Sequence, residues 1–502
     1  MGGNKRVFKR EKGERLVKKN RHFHLILLLL VMFLTASSAQ ADDPVLDWHT
    51  FMGSGGQDRG QAVAVDNNGN TYVTGYSYAS WGSPVNAYTG NCEGFLAKFD
   101  SDGNLLWNTF LGCASIDWAV ALAVDSAGNI YVGGTSFATW GTPLNAFAGG
   151  FADGFLAKFD SSGNRIWNTF LGGTSGDYVY GVALDASGMP FVAGLAGSAW
   201  GTPVNAYTAG NDAYVARFDA SGNYVWHTFI GGTGNQQAQN LVISSGGGIA
   251  VTGKTSSSWG APVRAYTSGD DCFTAALNSS GGLLWHTFLG GTGGDQGYGI
   301  TVDSSGDYIV VGITTAASWG APLNAYAGSG DTFVAKLDAG AGNLGWHTFI
   351  GGPGNDYGYT IDLDGDDNIY IGGFCSVSWG TPLNAHSGVD DLYIAALTPD
   401  GQPAWHTYYS GTDYDDARGI VLDPDRNALL VTGYGNSAWG TPVNGHAGGY
   451  DAFLIAIAGV GAAAPTSIPS LTEWGMILLS VGLAGAGLMY MGKRRRTINL
   501  KS

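Results

Sequence analysis

The segment at positions 155–170, FLAKFDSSGNRIWNTF, returns in near copies about every sixty residues through the centre of the chain, and such a repeat limits the fold more than any other feature of the sequence. Phe155, Ala157 and Phe159 alternate with Leu156 and Lys158, and a second run, RIWNTF, follows. The intervening Asp160 to Asn164 are residue types that meet a turn's backbone demands, so the unit reads as a tight β-hairpin.

Three signals recur in fixed order, each seven times. A Trp-His/Asn-Thr strand occurs at Trp48, Trp107, Trp167, Trp226, Trp285, Trp346 and Trp405. An Ala/Val/Ile run, such as 61–65 or 299–302, precedes a short turn and a strand such as 129–133. A further strand starts near Phe95, Phe155, Tyr214, Phe273, Phe333, Tyr393 and Phe453. Four strands of about five residues per period is the build of a β-propeller blade, and seven blades close into a ring. The predicted class is therefore all-β, a seven-bladed propeller over residues 42–459 with four antiparallel strands per blade. The body begins with a Trp strand and ends with a Phe strand that has no Trp strand after it. One blade must be completed by both ends, with 46–52 as its outermost strand beside 452–458, which removes the open edges a sheet must otherwise protect.

Composition agrees: 82 Gly and 12% aromatic residues with 13% charged describe short packed strands joined by turns. Of the 40 acids only Glu11, Glu14, Glu93 and Glu473 are Glu, so the acidity reads as turn chemistry carried by Asp. Between residues 25 and 492 ten Lys and Arg face 38 acids, a net of −28 that excludes nucleic acid as a partner. Cys92 and Cys113 flank the open end of one hairpin and are predicted to form a disulfide; Cys272 and Cys375 read as free buried thiols.

Residues 1–41 have the layout of a signal peptide: a basic region from Lys5 to Arg21, an apolar run LILLLLVMF and Ala39-Gln40-Ala41. At the other end a linker and sorting motif (460–472) leads to an apolar segment, 473–496, closed by Lys493, Arg494, Arg495 and Arg496, with a short tail at 497–502. The segment reads as a single transmembrane helix with a cytoplasmic basic end and the body outside.

Ile468, Pro469, Ser470, Leu471, Thr472, Glu473, Trp474 and Gly475, followed by that helix and the arginines, resemble the IPTL-CTERM class of bacterial C-terminal sorting signals; Ser470 stands where the family's motif has Thr. The resemblance implies recognition by a membrane sorting or processing enzyme and display at the bacterial envelope or cell surface. Units such as GYGITVDSSGDYIVVG followed by FVAKLD resemble SBBP β-propeller repeats. That likeness implies architecture; it implies no shared reaction. The turn-then-Trp pattern also resembles sialidase Asp-box and quinoprotein repeats, but an arginine triad with Tyr and Glu, and an adjacent cysteine pair, are missing from the sequence.

A loop of the form Ser/Ala/Thr-Trp-Gly-x-Pro follows the second strand of every blade, carrying Trp81, Trp140, Trp200, Trp259, Trp319, Trp379 and Trp439. Two readings are open. Each indole staples its own loop, or the seven form a multivalent sugar platform on which pyranoses stack while Asn86, Asn145, Asn205, Asn324, Asn384 and Asn444 bond hydroxyls, with Arg264 breaking the series. His49, His227, His286, His347 and His406 read as surface strand residues too far apart to share a metal. Asp362, Asp364, Asp366 and Asp367 lack calcium-loop spacing and read as a turn, although calcium at single Asp/Gly loops is left open. No metal site or cofactor is predicted, and no acid, base and nucleophile converge in the sequence. The expected function is a non-catalytic recognition, adhesion or matrix module facing surface glycans or proteins. Its rival is a secreted sialidase-like or quinoprotein-like enzyme with its active site at the central channel.

Overall fold

A computed structural model describes residues 44–315 and 318–460. They form seven four-stranded antiparallel sheets. Blade one is Asp58–Val65, Thr71–Ser77, Glu93–Phe99 and Leu105–Leu111, running from the channel outward. Blade seven is Asp415–Asp423, Ala428–Gly435 and Asp451–Ala458, and its fourth strand is Val45–Met52 from the other end of the chain. Met52 pairs with Ala452 and His49 with Ile455, as the phase of the repeat predicts.

The repeated hairpin sets Phe155 opposite Phe170 and Lys158 opposite Trp167, with a register shift between Lys158 and Phe159 next to the turn. Its turn is closed by Asp160, whose Oδ1 accepts from the amides of Ser162 and Asn164, both at 2.9 Å. Gly163 sits at φ 83°, and a Cβ there would lie 2.9 Å from the Trp107 ring of the preceding blade. Trp107 in turn donates its indole N–H to the Ser161 carbonyl, 3.2 Å away. Trp48, Trp167 and Trp285 reach Ser101, Ala220 and Ala339 of the next blade in the same way. The Trp of the Trp-His/Asn-Thr signal is thus an inter-blade lock.

The aspartates divide in two. One set closes turns as expected. A second set stands at the first residue of the inner strands and of the third strands, and there the carboxylates are wholly buried: Asp153, Asp177, Asp331, Asp356, Asp391 and Asp415 show no exposure. Each inner-strand acid faces an acid of the preceding blade, as Asp177 faces Asp153 and Asp415 faces Asp391. Their outer oxygens accept loop amides, Gly173 to Asp177 and Gly352 to Asp356 both at 2.8 Å. The acidity is therefore turn chemistry only in part.

Cys92, Cys113, Cys272 and Cys375 are all free thiols, so the expected Cys92–Cys113 disulfide is not formed. The hairpin register ends at Gly94 opposite Leu111. Beyond it the two strands part: Cys92 bridges Ile116, and Cys113 donates its amide to Asp117 at 2.9 Å. The signal peptide, the sorting motif and the apolar segment 473–496 lie outside the described residues. Among those described, no helix is long and apolar enough to cross a membrane.

Candidate functional site

The loop tryptophans are packed inward. Trp140 and Trp319 are each 4% exposed, and Trp81 and Trp259 are 7% exposed. His49, His227, His286, His347 and His406 lie on them as flat stacks, with centroids 3.8, 3.7, 3.7, 3.9 and 4.7 Å from Trp439, Trp200, Trp259, Trp319 and Trp379. These histidines are not surface residues: His49, His227, His286 and His347 are at most 2% exposed. His286 donates from Nε2 to the Trp259 carbonyl at 2.8 Å, and His347 does the same to Trp319 at 2.7 Å. Where the strand has Asn, Asn108 and Asn168 donate Nδ2 to the Trp81 and Trp140 carbonyls at 2.9 and 3.1 Å. His and Asn alternate because each offers one N–H at the same reach.

The third residue of that signal completes the clamp. Thr109 Oγ1 accepts from Asn86 N and Nδ2 at 3.2 and 3.0 Å, and Thr50 receives Asn444 likewise. Main-chain pairing adds Phe110 to Asn86, Phe170 to Asn145, Phe229 to Asn205 and Phe349 to Asn324. Asn384 donates to Thr407. Arg264 departs in side chain but keeps the place, donating to the Phe288 and Gly290 carbonyls. Indole faces covered by His or Phe rings present no platform for a pyranose. Of the two readings, the geometry supports the staple.

The channel is different. Every inner strand carries a β-bulge at its fourth residue, so one residue per blade is unpaired and leans into the centre. The bulge residues are Gln61, Val120, Tyr180, Gln239, Tyr298, Tyr359 and Arg418, and all seven line a cavity of about 470 Å³. Opposite each bulge the second strand has Gly. A Cβ on Gly75, Gly194 or Gly433 would fall 1.9, 1.8 or 1.8 Å from the carbonyl oxygen of Arg59, Tyr178 or Asp416. The scaffold thus repeats strictly around the ring while the displayed side chain varies.

Aromatic and charged side chains cluster across blades five to one, at the end of the inner strands nearer the Trp-Gly loops. Tyr298 and Tyr359 meet edge to face at 4.8 Å, and the Arg418 guanidinium lies 3.9 Å above the Tyr359 ring. Arg418 pairs with buried Asp416 at 2.5 Å and donates to the Tyr434 hydroxyl at 3.2 Å. Burial alone would lower the Arg418 pKa, but Asp416 and the surrounding tyrosines hold it well above its ordinary value. Arg59 lies 4.6 Å from the centre of the Tyr434 ring and 5.3 Å from that of Tyr450. Sequence reading missed this ring. Its signal was the one variable position inside the Ala/Val/Ile run, such as Tyr298 in GYGITV. Among the described residues no three of His, Cys, Asp and Glu gather as a metal site.

Two family models match: Beta-propeller repeat (SBBP) at residues 47–80 and 404–438, and IPTL-CTERM motif at residues 466–496. The described residues form a seven-bladed β-propeller, two stretches of which match the SBBP repeat, and the chain carries an IPTL-CTERM motif. Each matched SBBP segment begins on an outer strand and runs into the next blade, so the repeat is one strand out of phase with the blade. The chain is 23% identical over 487 residues to the uncharacterized WD repeat-containing protein L264 of Acanthamoeba polyphaga mimivirus, covering 78% of this chain and 31% of that protein. It is 23% identical over 448 residues to the regulatory protein FlaEY of Caulobacter vibrioides, covering 83% and 41%. It thus spans well under half the length of these two relatives. Among solved structures, Kuenenia stuttgartiensis hydrazine synthase aligns with TM-score 0.46 at 12% identity, over 76% of this chain and 94% of that one. The Neurospora crassa Pan2 WD40 domain aligns with TM-score 0.43 at 9% identity, over 80% and 89%. Quinohemoprotein alcohol dehydrogenase ADHIIG from Pseudomonas putida HK5 aligns with TM-score 0.41 at 12% identity, over 85% and 78%.

Proposed function

We propose that this SBBP propeller is a non-catalytic recognition module, exported and held at the bacterial surface, that takes a saccharide at the loop-side mouth of its channel. The observation that carries the reading is the bulge ring. A frame that repeats its staples, locks and bulges seven times has no structural need for four different residue types at its seven channel positions, and display on a rigid scaffold is how repeat folds build binding surfaces. The Tyr180, Tyr298 and Tyr359 rings and the Gln61 and Gln239 amides line the cavity together, a pairing suited to sugar rings and their hydroxyls. The cavity lies within the roughly 300–1,000 Å³ of small-ligand sites. The IPTL-CTERM motif supports export, with a membrane sorting enzyme as partner and 473–496 as the anchor.

A glycan array probed with the purified full chain tests the reading. Binding is expected, and Tyr359→Ala should weaken it; an empty array, or binding indifferent to Tyr359→Ala, refutes recognition at the mouth. One observation favours an enzyme instead: the channel cluster around Asp416 and Arg418 is polar and unrepeated. Asp416 is, however, already committed to Arg418. Release of free sugar from bound glycans on long incubation would establish the enzyme.

A further inference from the structure

We propose that Arg59 makes the mouth selective for a carboxylate-bearing sugar, a uronic acid unit, an inference that rests on saccharide recognition at that mouth. Two guanidiniums lie within 5.6 Å of the centre of one ring, that of Tyr434. Arg418 is neutralised by Asp416. Arg59 joins no ion pair among the described residues, and its Nε is buried without an acceptor. Lys98, Arg165 and Arg264 also lack an ion pair among the described residues, but Arg59 is the one of the four that lies beside the Arg418 cluster, across Tyr434. Tyr434 and Tyr450 flank it, and Tyr76 lies beside it, which restricts the guanidinium to a fixed attitude.

A planar fork held in one attitude is the geometry that binds a carboxylate in two parallel hydrogen bonds. The charge count points the same way. A carboxylate brings one negative charge and cancels Arg59, whereas a phosphate brings about −1.5 to −2 and leaves an excess in a low-dielectric mouth. Tyr434 is buried under the two guanidiniums, and the cavity-lining Tyr76 beside the fork is the ring that gives the rest of the ligand an apolar face.

Titration of the full chain with galacturonate and, separately, with galactose reads this out. Galacturonate is expected to bind, to weaken with added salt, and to lose about tenfold or more in affinity in Arg59→Gln, while any galactose binding is unchanged. Arg59→Lys, which keeps the charge but not the fork, should fall between the two and covers the case in which Arg59→Gln does not fold. Galacturonate binding equal in wild type and both variants overturns the role of Arg59. Galactose binding without galacturonate binding overturns the acidic preference and leaves recognition standing; binding of neither, with an empty array, removes both.

Discussion

Phe51 stands directly opposite Phe453 in the last blade, joining the first strand of the propeller to its last. Both are buried, and Val443 donates its amide to the His49 carbonyl from the loop above. The ring is therefore closed by one strand that carries four consecutive buried residues, His49 to Met52.

Deleting residues 42–52 is expected to lower the melting temperature by about 10 °C or more, because two large core side chains and a full ladder of hydrogen bonds are lost together. Thermal unfolding followed by circular dichroism measures it. A melting temperature equal to that of the full chain would mean that the ring does not depend on this strand.

The staples make a prediction about equivalence. His286→Asn should cost little, since Asn108 and Asn168 already do the same work in blades one and two. His286→Ala strips the Trp259 carbonyl of its donor and the indole of its stacked partner, a loss of about 1–3 kcal/mol. Chemical denaturation of the two variants separates them; equal losses would refute the shared role.

The buried acid pairs set a pH dependence. Burial, with Asp153 adding repulsion, pushes the Asp177 carboxyl up to about 7, and Asp356 beside Asp331 is pushed to about 7 for the same reasons. A carboxyl raised in the fold binds its proton more tightly there than in the unfolded chain. Its contribution is fully present below about pH 4 and is lost as pH rises toward about 7. Buried His227, lowered to about 4 by desolvation, acts in the opposite sense, losing stability as pH falls from about 6.5. The variant difference therefore gives the clean reading: Asp177→Asn should stabilise relative to wild type at pH 8 and not at pH 4. Blade four supplies the precedent, where neutral Gln236 holds the same place and donates to Thr255 at 3.1 Å. Lower stability of Asp177→Asn at pH 8 would contradict the assignment.

The bulges predict opposite outcomes for the glycine behind a bulge and for a displayed residue on one. Gly312→Ala would place a Cβ 2.1 Å from the Gln296 carbonyl oxygen and should cost several kcal/mol, on the order of 3. Val120→Tyr, at a bulge facing the cavity, should change the melting temperature by less than about 2 °C. Paired melting curves test both, and a severe loss for Val120→Tyr would show that this residue is packed rather than displayed.

The hairpin, the count of seven and the clasp were all legible in the sequence, because each rests on local alternation and on a period that any one repeat shows by itself. The position of the Trp-Gly loops was legible for the same reason. Their role was not: nothing in the local pattern says that Trp259 meets His286 or that Asn86 meets Thr109, since these contacts join segments that neither alternate together nor adjoin. The Cys92–Cys113 expectation failed at the same boundary, because extrapolating a hairpin register assumes that the strands continue, and here they diverge toward the next blade.

What the sequence determined by itself is what repeats: strand, turn, blade and ring, each set by short-range alternation and turn chemistry. What the tertiary structure alone decided is what the repeats bring to the axis. A bulge held open by a glycine on the neighbouring strand turns one variable residue per blade inward, and closure of the ring sets Arg418 of one end beside Arg59 of the other across Tyr434. That convergence depends on contacts between blades far apart in the chain, so no single repeat contains it.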